Sequence, residues 1–254
     1  SKYDATYQMS RRVAESLTPA DILYMAERMV GDIAKRGGDN NNRPKFSRTE
    51  QSQFDQLLAK ADKMIAEQGK LLAPNGKPSK LNRYQWAQVR TDNFKNWFGD
   101  WENDPENASK VVDENGEPMV VYHGTDSDFN IFDLSVPIKN GRGEGNGFYF
   151  ALDKKLAQKY TKTKNIKTVF LNVRKDWRGF DSLNQEEKKT YLATKSDQEA
   201  YERLKIDAIR HGGTWIIFNP TQIKSAIGNN GEFSPTNPDI RFSRAEDKAK
   251  AAKD

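Results

Sequence analysis

A histidine, a glycine and a threonine stand in a row at His123, Gly124 and Thr125, directly after the apolar run Met119-Val120-Val121-Tyr122. The chain has only 2 histidines in 254 residues, so the position of each one matters. An imidazole, a bare backbone and a hydroxyl in succession suit an amide- or ribose-bearing ligand. Taken alone, His123 reads first as a strand-end histidine satisfied by backbone. Downstream, Tyr149 lies in GFYF and Tyr160 follows eleven positions later. Alternation along Phe148-Tyr149-Phe150 sets Tyr149 on the face opposite its two Phe neighbours. If those Phe residues are core, Tyr149 faces a cleft, where two tyrosines can sandwich a planar, electron-poor ring. Two core tyrosines are the plainer alternative.

These side chains need elements to hold them, and the chain divides into zones. Residues 1–38 predict a helical segment: Thr18 as N-cap, Pro19 in the first turn, and Ile22, Met25, Met29, Val30 and Ile33 as one apolar stripe. Residues 39–46 read as a linker. Residues 47–107 form a helical, aromatic-rich lead-in. It opens on a capping box at Ser47 and Glu50, and Phe54, Leu57, Leu58, Ala61, Met64 and Ile65 carry its stripe. Trp86, Phe94, Trp97, Phe98 and Trp101 then read as anchors onto the next domain, with a partner-binding surface as the rival reading.

Residues 108–244 change texture. VVDENGEPMVVY predicts a hairpin around Asn115-Gly116. NGFYFAL, KTVFLNV and TWIIFNP predict strands, and DQEAYERLKIDAIRHGG a helix capped by Ser196 and Glu199. Short strands without βαβ alternation indicate an α+β fold. Residues 245–254 read as a charged tail. The glycines of GRGEGNGFYF precede a strand instead of opening a helix, so they are no dinucleotide fingerprint; a mobile loop beside a site is expected. A Phe-Ser-Arg echo at residues 46–48 and 242–244 marks linker edges.

Composition narrows the function. The chain has no cysteine, which excludes disulfides, thiol catalysis and cysteine zinc sites. With two histidines, no metal is expected. The net charge is +5 with both signs interleaved, which predicts an ordinary solvated surface more than a nucleic-acid stripe. No apolar run approaches membrane-spanning length and no signal peptide is evident, so a soluble protein with no membrane partner is expected.

Taken together, YHGT, GFYF, the second tyrosine and TWIIFNPTQIK resemble the ADP-ribosyltransferase fold, in its diphtheria-toxin and poly(ADP-ribose)-polymerase-like branch with a His-Tyr-Glu triad. The stretch from about Gln85 to Arg244 is similar to ADP-ribosyltransferase domains in polyvalent proteins of phages and mobile elements. The resemblance implies a split antiparallel β core with flanking helices. It also implies a mono-ADP-ribosyltransferase that uses NAD, in the bacterial cytoplasm and encoded by a phage or mobile element, with a macromolecular acceptor, protein side chain or nucleic acid base.

By the same resemblance His123, Gly124, Thr125, Tyr149 and Tyr160 bind NAD, and His123 and Tyr149 belong to the catalytic triad. The third triad position departs from the pattern. Thr214 stands where the acid belongs, and Gln222 is the nearest polar substitute; both are carried as catalytic candidates. Glu202, Asp207 and Glu232 reach the site only in an unexpected register. The rival functions are an NAD-binding pseudoenzyme or interaction module that lost the acid, and an RNA 2′-phosphotransferase-like enzyme of the same fold.

Overall fold

The structure is a computed structural model that describes residues 48–135, 147–163, 165–229, 231 and 233–241. The expected first helix, the linker 39–46, Ser47, the glycines of 141–146, Glu232, the Phe-Ser-Arg echo apart from Arg48, and the tail 245–254 lie outside them.

Helix α1 (Arg48–Gln68) opens the lead-in. Gly69, at φ +73, ends it by donating its N–H to the Ile65 carbonyl at 2.8 Å, a conformation that costs glycine nothing. Two short helices follow. α2 (Arg83–Gln88) is capped by Asn82 and Gln85 in a reciprocal box, and α3 (Asp92–Phe98) is capped by the Thr91 hydroxyl.

Two turns of near-identical build flank these helices. In the first, Leu72 bridges Pro78, with Gly76 at φ +77; in the second, Val112 bridges Pro118, with Gly116 at φ +78. The second is the expected Asn115-Gly116 hairpin, reduced to a single bridge. The turns touch through the Asn75 amide, which donates to Asn115 Oδ1 at 3.1 Å, and through the Lys80–Glu114 pair at 2.7 Å. Asn-Gly supplies the left-handed backbone each turn needs.

The sheet is built from β1 (Val121–Thr125), β2 (Phe148–Ala151), β3 (Asn165–Leu171), β4 (Asp176–Trp177), β5 (Ala208–His211), β6 (Thr214–Ile217) and β7 (Ile223–Ser225). Helix α4 (Lys154–Gln158) follows β2, and α5 (Gln185–Leu192) and α6 (Asp197–Leu204) lie between β4 and β5. The seven strands run in the order β4-β5-β6-β2-β1-β3-β7, all pairs antiparallel except β4 with β5. The α+β class expected from the sequence is what the chain adopts.

One expected element divides in two. The helix read across DQEAYERLKIDAIRHGG stops at Leu204, because Lys205 turns left-handed at φ 55 and Ala208–His211 joins the sheet as β5. Its start is as expected, with Ser196 Oγ accepting the Glu199 N–H at 3.2 Å.

One face of the sheet buries Val121, Phe148, Phe150, Val169, Trp215 and Ile217. The lead-in aromatics form a second core, in which Trp86, Phe94, Trp97, Phe98 and Trp101 pack with Phe170 of β3, Ala226 and Phe233. Phe94 stacks on Phe98 at 5.0 Å and meets Phe170 edge-on at 5.1 Å. Trp97 donates its indole N–H to the Thr221 carbonyl at 3.1 Å, and the Asn172 amide donates back to the Trp97 carbonyl. Trp86 and Trp97 are each 2% exposed, so these rings are anchors and offer no partner surface. Arg90 joins the lead-in to the second turn. Its guanidinium lies 3.9 Å over Trp86 and pairs at 2.6 Å with Glu117, whose side chain is fully buried.

Candidate active site

The site grows from the junction of β1 and β2. β1 is zipped to β3 along its whole length, from Val121↔Val169 to Thr125↔Asn165. Its pairing with β2 is limited to Tyr122↔Ala151. Ladder alternation fixes which backbone groups face the gap beyond that pair. The Ala226 N–H bonds the Thr168 carbonyl at 2.9 Å, so Thr168 turns its polar groups to the β7 side. Its partner Tyr122 therefore turns its own groups to β2, and so does Gly124, two residues on.

Continuing the register would set Gly124 opposite Tyr149. The Tyr149 carbonyl is instead held by the imidazole of His123, with Nδ1 at 2.8 Å. A side chain thus occupies the acceptor that the ladder would give to the Gly124 N–H. Gly124 lies beyond the last register pair of β1 and β2, with a donor and an acceptor side by side facing the gap. A primary amide, which carries both complementary groups, matches that pair.

His123 is itself enclosed. Its ring lies 5.1 Å from Phe132, 5.5 Å from Phe150 and 6.2 Å from Phe129. Burial among these rings pushes its pKa below the usual 6.5, against the opposing pull of the Tyr149 carbonyl; the nearby Lys167 ammonium lowers it further. The imidazole is therefore neutral at pH 7. With Nδ1–H donated to a carbonyl, Nε2 is the acceptor, and it has no hydrogen bond among the described residues.

The strand faces separate the expected residues. His123 turns to the Phe150 side, whereas Tyr149 and Gly124 belong to the other. Helix α4 covers the second side. A Cβ on Gly124 would lie 2.1 Å from the Ala157 carbonyl oxygen, so helix and strand meet only because residue 124 has no side chain. Tyr160 stands just past α4 and is 67% exposed. Tyr149 therefore lies on the α4 side of the sheet.

The turn after α4 is clamped to β1. Thr161 Oγ1 donates to the Thr125 carbonyl at 2.9 Å and to Asp126 Oδ1 at 2.7 Å; the Lys162 and Thr163 amides also donate to Asp126, at 2.6 and 3.0 Å. Bonds from the Thr161 hydroxyl and the Thr163 amide hold the Asp126 carboxyl down to about 2. This clamp was missed in the sequence, because its partners lie 35 or more positions apart. The Thr125 hydroxyl meanwhile accepts the Ser127 N–H at 3.1 Å, shaping the loop that carries Phe129.

The remaining candidates lie on and beyond β6. Thr214 begins that strand and pairs with Ala151, which pairs with Tyr122, so it lies in the row that ends at the β1–β2 junction. Gln222 lies past the other end of β6. Its Oε1 accepts the Asn219 N–H at 3.1 Å, and its Nε2 donates to the Asn172 and Asp207 carbonyls at 2.9 and 3.2 Å. Glu202 and Asp207 line a shallow cavity of about 370 Å³ beside Gln222. Burial raises the Asp207 carboxyl even though it accepts the Arg174 and Lys175 amides. Four residues of extended strand span about 13 Å, so the structure does not bring Gln222, Glu202 or Asp207 to the row of Thr214.

Among the described residues no cluster of three His, Asp or Glu side chains could hold a metal, and no helix is long and apolar enough to cross a membrane. No curated protein and no solved structure matches the chain. One family model does match, over residues 113–233, and it is described as the ADP-ribosyltransferase in polyvalent proteins. The strands of the gap, the His-Gly pair and both tyrosines fall within that span, and over it the chain is similar to the ADP-ribosyltransferase domains of polyvalent proteins.

Proposed function

We propose that this domain binds NAD at the β1–β2 junction and transfers its ADP-ribosyl group to a macromolecular acceptor. The observation that carries the reading is the end of β1–β2 pairing before Gly124, where His123 takes the Tyr149 carbonyl. NAD, when bound, supplies an ADP-ribosyl group and nicotinamide as leaving group. The Gly124 N–H and C=O take the carboxamide, and Tyr149 and Tyr160 flank the ring from the α4 side. Neutral His123 accepts a ribose hydroxyl at Nε2. The Thr125 hydroxyl shapes the loop behind it. Thr214 hydrogen-bonds the ribose but brings no negative charge to the developing cation, so turnover is slow. Gln222, with its amide fully engaged, is a brace for the β6–β7 connection.

The test is calorimetric titration of NAD together with nicotinamide release, for the protein and for His123→Ala and Tyr149→Ala. Binding and release lost in both variants, with the fold intact by circular dichroism, support the reading. Undiminished binding in both would sink it. One observation favours a second reading: Thr214 stands in the row where a carboxylate would act, as expected of a domain that holds NAD without cleaving it. Binding with no nicotinamide release identifies that case.

A further inference from the structure

Charges of both signs are interleaved over most of the chain, but one stretch beside the junction is purely basic. From Lys154 to Lys175 there is no Asp or Glu. Lys154, Lys155 and Lys159 lie on the exposed side of α4, whose Ala157 is buried toward Gly124. Lys162 is exposed on the clamped turn that follows. Among the described residues none of these four forms an ion pair, whereas the neighbouring Lys167 is bound to Asp128 at 2.8 Å. Two neighbouring carboxylates are committed: Asp153 caps α4, accepting the Lys155 and Leu156 amides, and Asp126 holds the turn.

Ammonium groups therefore dominate the patch, on a short helix and a turn pinned to β1 by Thr161, with Gln158 and Tyr160 exposed between them. Its unpaired charges are all positive, which favours an anionic partner. Ammonium groups act as point charges, which suit a run of phosphates without regard to sequence. The helix that carries the patch covers Gly124 at the β1–β2 gap, so a strand lying on it passes near the proposed transfer site. A base that is modified must be out of the stack, which favours a single strand.

We propose that Lys154, Lys155, Lys159 and Lys162 form a docking rim for the phosphate backbone of a single-stranded nucleic acid, and that this strand is the acceptor. The acceptor role rests on the NAD reading above; the docking surface does not.

The test uses the full chain and its quadruple variant Lys154→Gln, Lys155→Gln, Lys159→Gln, Lys162→Gln. Affinities are measured for oligothymidylate and oligouridylate of about 16 nucleotides, and for NAD separately. The expected result is roughly tenfold or greater loss of oligonucleotide affinity, with the salt slope reduced by about 2–3, and unchanged NAD affinity. Labelled NAD should mark the oligonucleotide in the unaltered protein. Three outcomes would overturn the proposal: equal oligonucleotide binding by both proteins, a parallel loss of NAD affinity, or label found on lysate protein and none on the oligonucleotide. Rim-dependent oligonucleotide binding by a protein that never binds NAD keeps the docking surface and sinks the transferase reading instead.

Discussion

His123 donates its Nδ1–H to the Tyr149 carbonyl across 2.8 Å, filling the place that strand pairing reserves for Gly124. One side chain therefore sets how far β1 and β2 close, and the gap is part of the fold before any ligand arrives. His123 is a gap-keeper as well as the proposed partner of the ribose.

Gly124→Ala should damage the fold and the site together. The added methyl meets the Ala157 carbonyl at 2.1 Å, and a backbone atom cannot swing aside as a side-chain tip can. Overpacking of this kind costs about 1–3 kcal/mol. The urea midpoint should fall accordingly, and NAD binding should be lost even at denaturant-free temperatures where the variant is folded.

The buried imidazole gives stability a pH slope of known sign. Unfolded, His123 titrates near 6.5; folded, burial holds it lower. Between the two values the unfolded chain binds the extra proton, so stability is full above 6.5 and declines as pH falls toward the folded value. Melting temperatures from pH 8 to 5, compared with His123→Gln, should show a loss in the native protein that the variant lacks. A constant difference between the two would count against a neutral, buried His123.

Thr214→Glu should raise nicotinamide release about tenfold or more, because a carboxylate in that row opposes positive charge on the ribose. Gln222→Ala should do the reverse of a catalytic change. It leaves the Asn172 and Asp207 carbonyls and the Asn219 N–H without their partner, lowering stability by about 1–3 kcal/mol, with release per folded molecule unaltered.

Arg90→Ala should destabilise the domain by about 3–5 kcal/mol, since it abandons the buried Glu117 carboxylate. Arg90→Ala with Glu117→Gln should recover part of that loss in denaturant titration, because the stranded charge is then gone.

The strands around the site were legible because alternation and short apolar runs are local properties: GFYF, KTVFLNV and TWIIFNP each became a strand. The residue types of the His-Gly pair were legible for the same reason. The face of His123 was not, because Phe129 and Phe132 reach it from a loop that periodicity does not describe. The helix-to-strand change at Lys205 depends on one left-handed residue, and lysine carries no signal for it. β4, two residues long and parallel to β5, has no pattern at all until tertiary pairing creates it. The anchoring role of the tryptophans was readable from composition, but their partners Phe170 and Phe233 were not.

The matched span begins at residue 113, yet Phe170 within it is roofed by Phe94, and the Thr221 carbonyl is bound by Trp97. A gene fragment cut at the start of that span would leave an oily flank on β3 and an unpaired carbonyl past β6. The piece that packs as one is therefore longer than the span the family model matches. It takes in Ala61 and Ile65 of α1 and both Asn-Gly turns, which hold each other through Asn75 and Asn115.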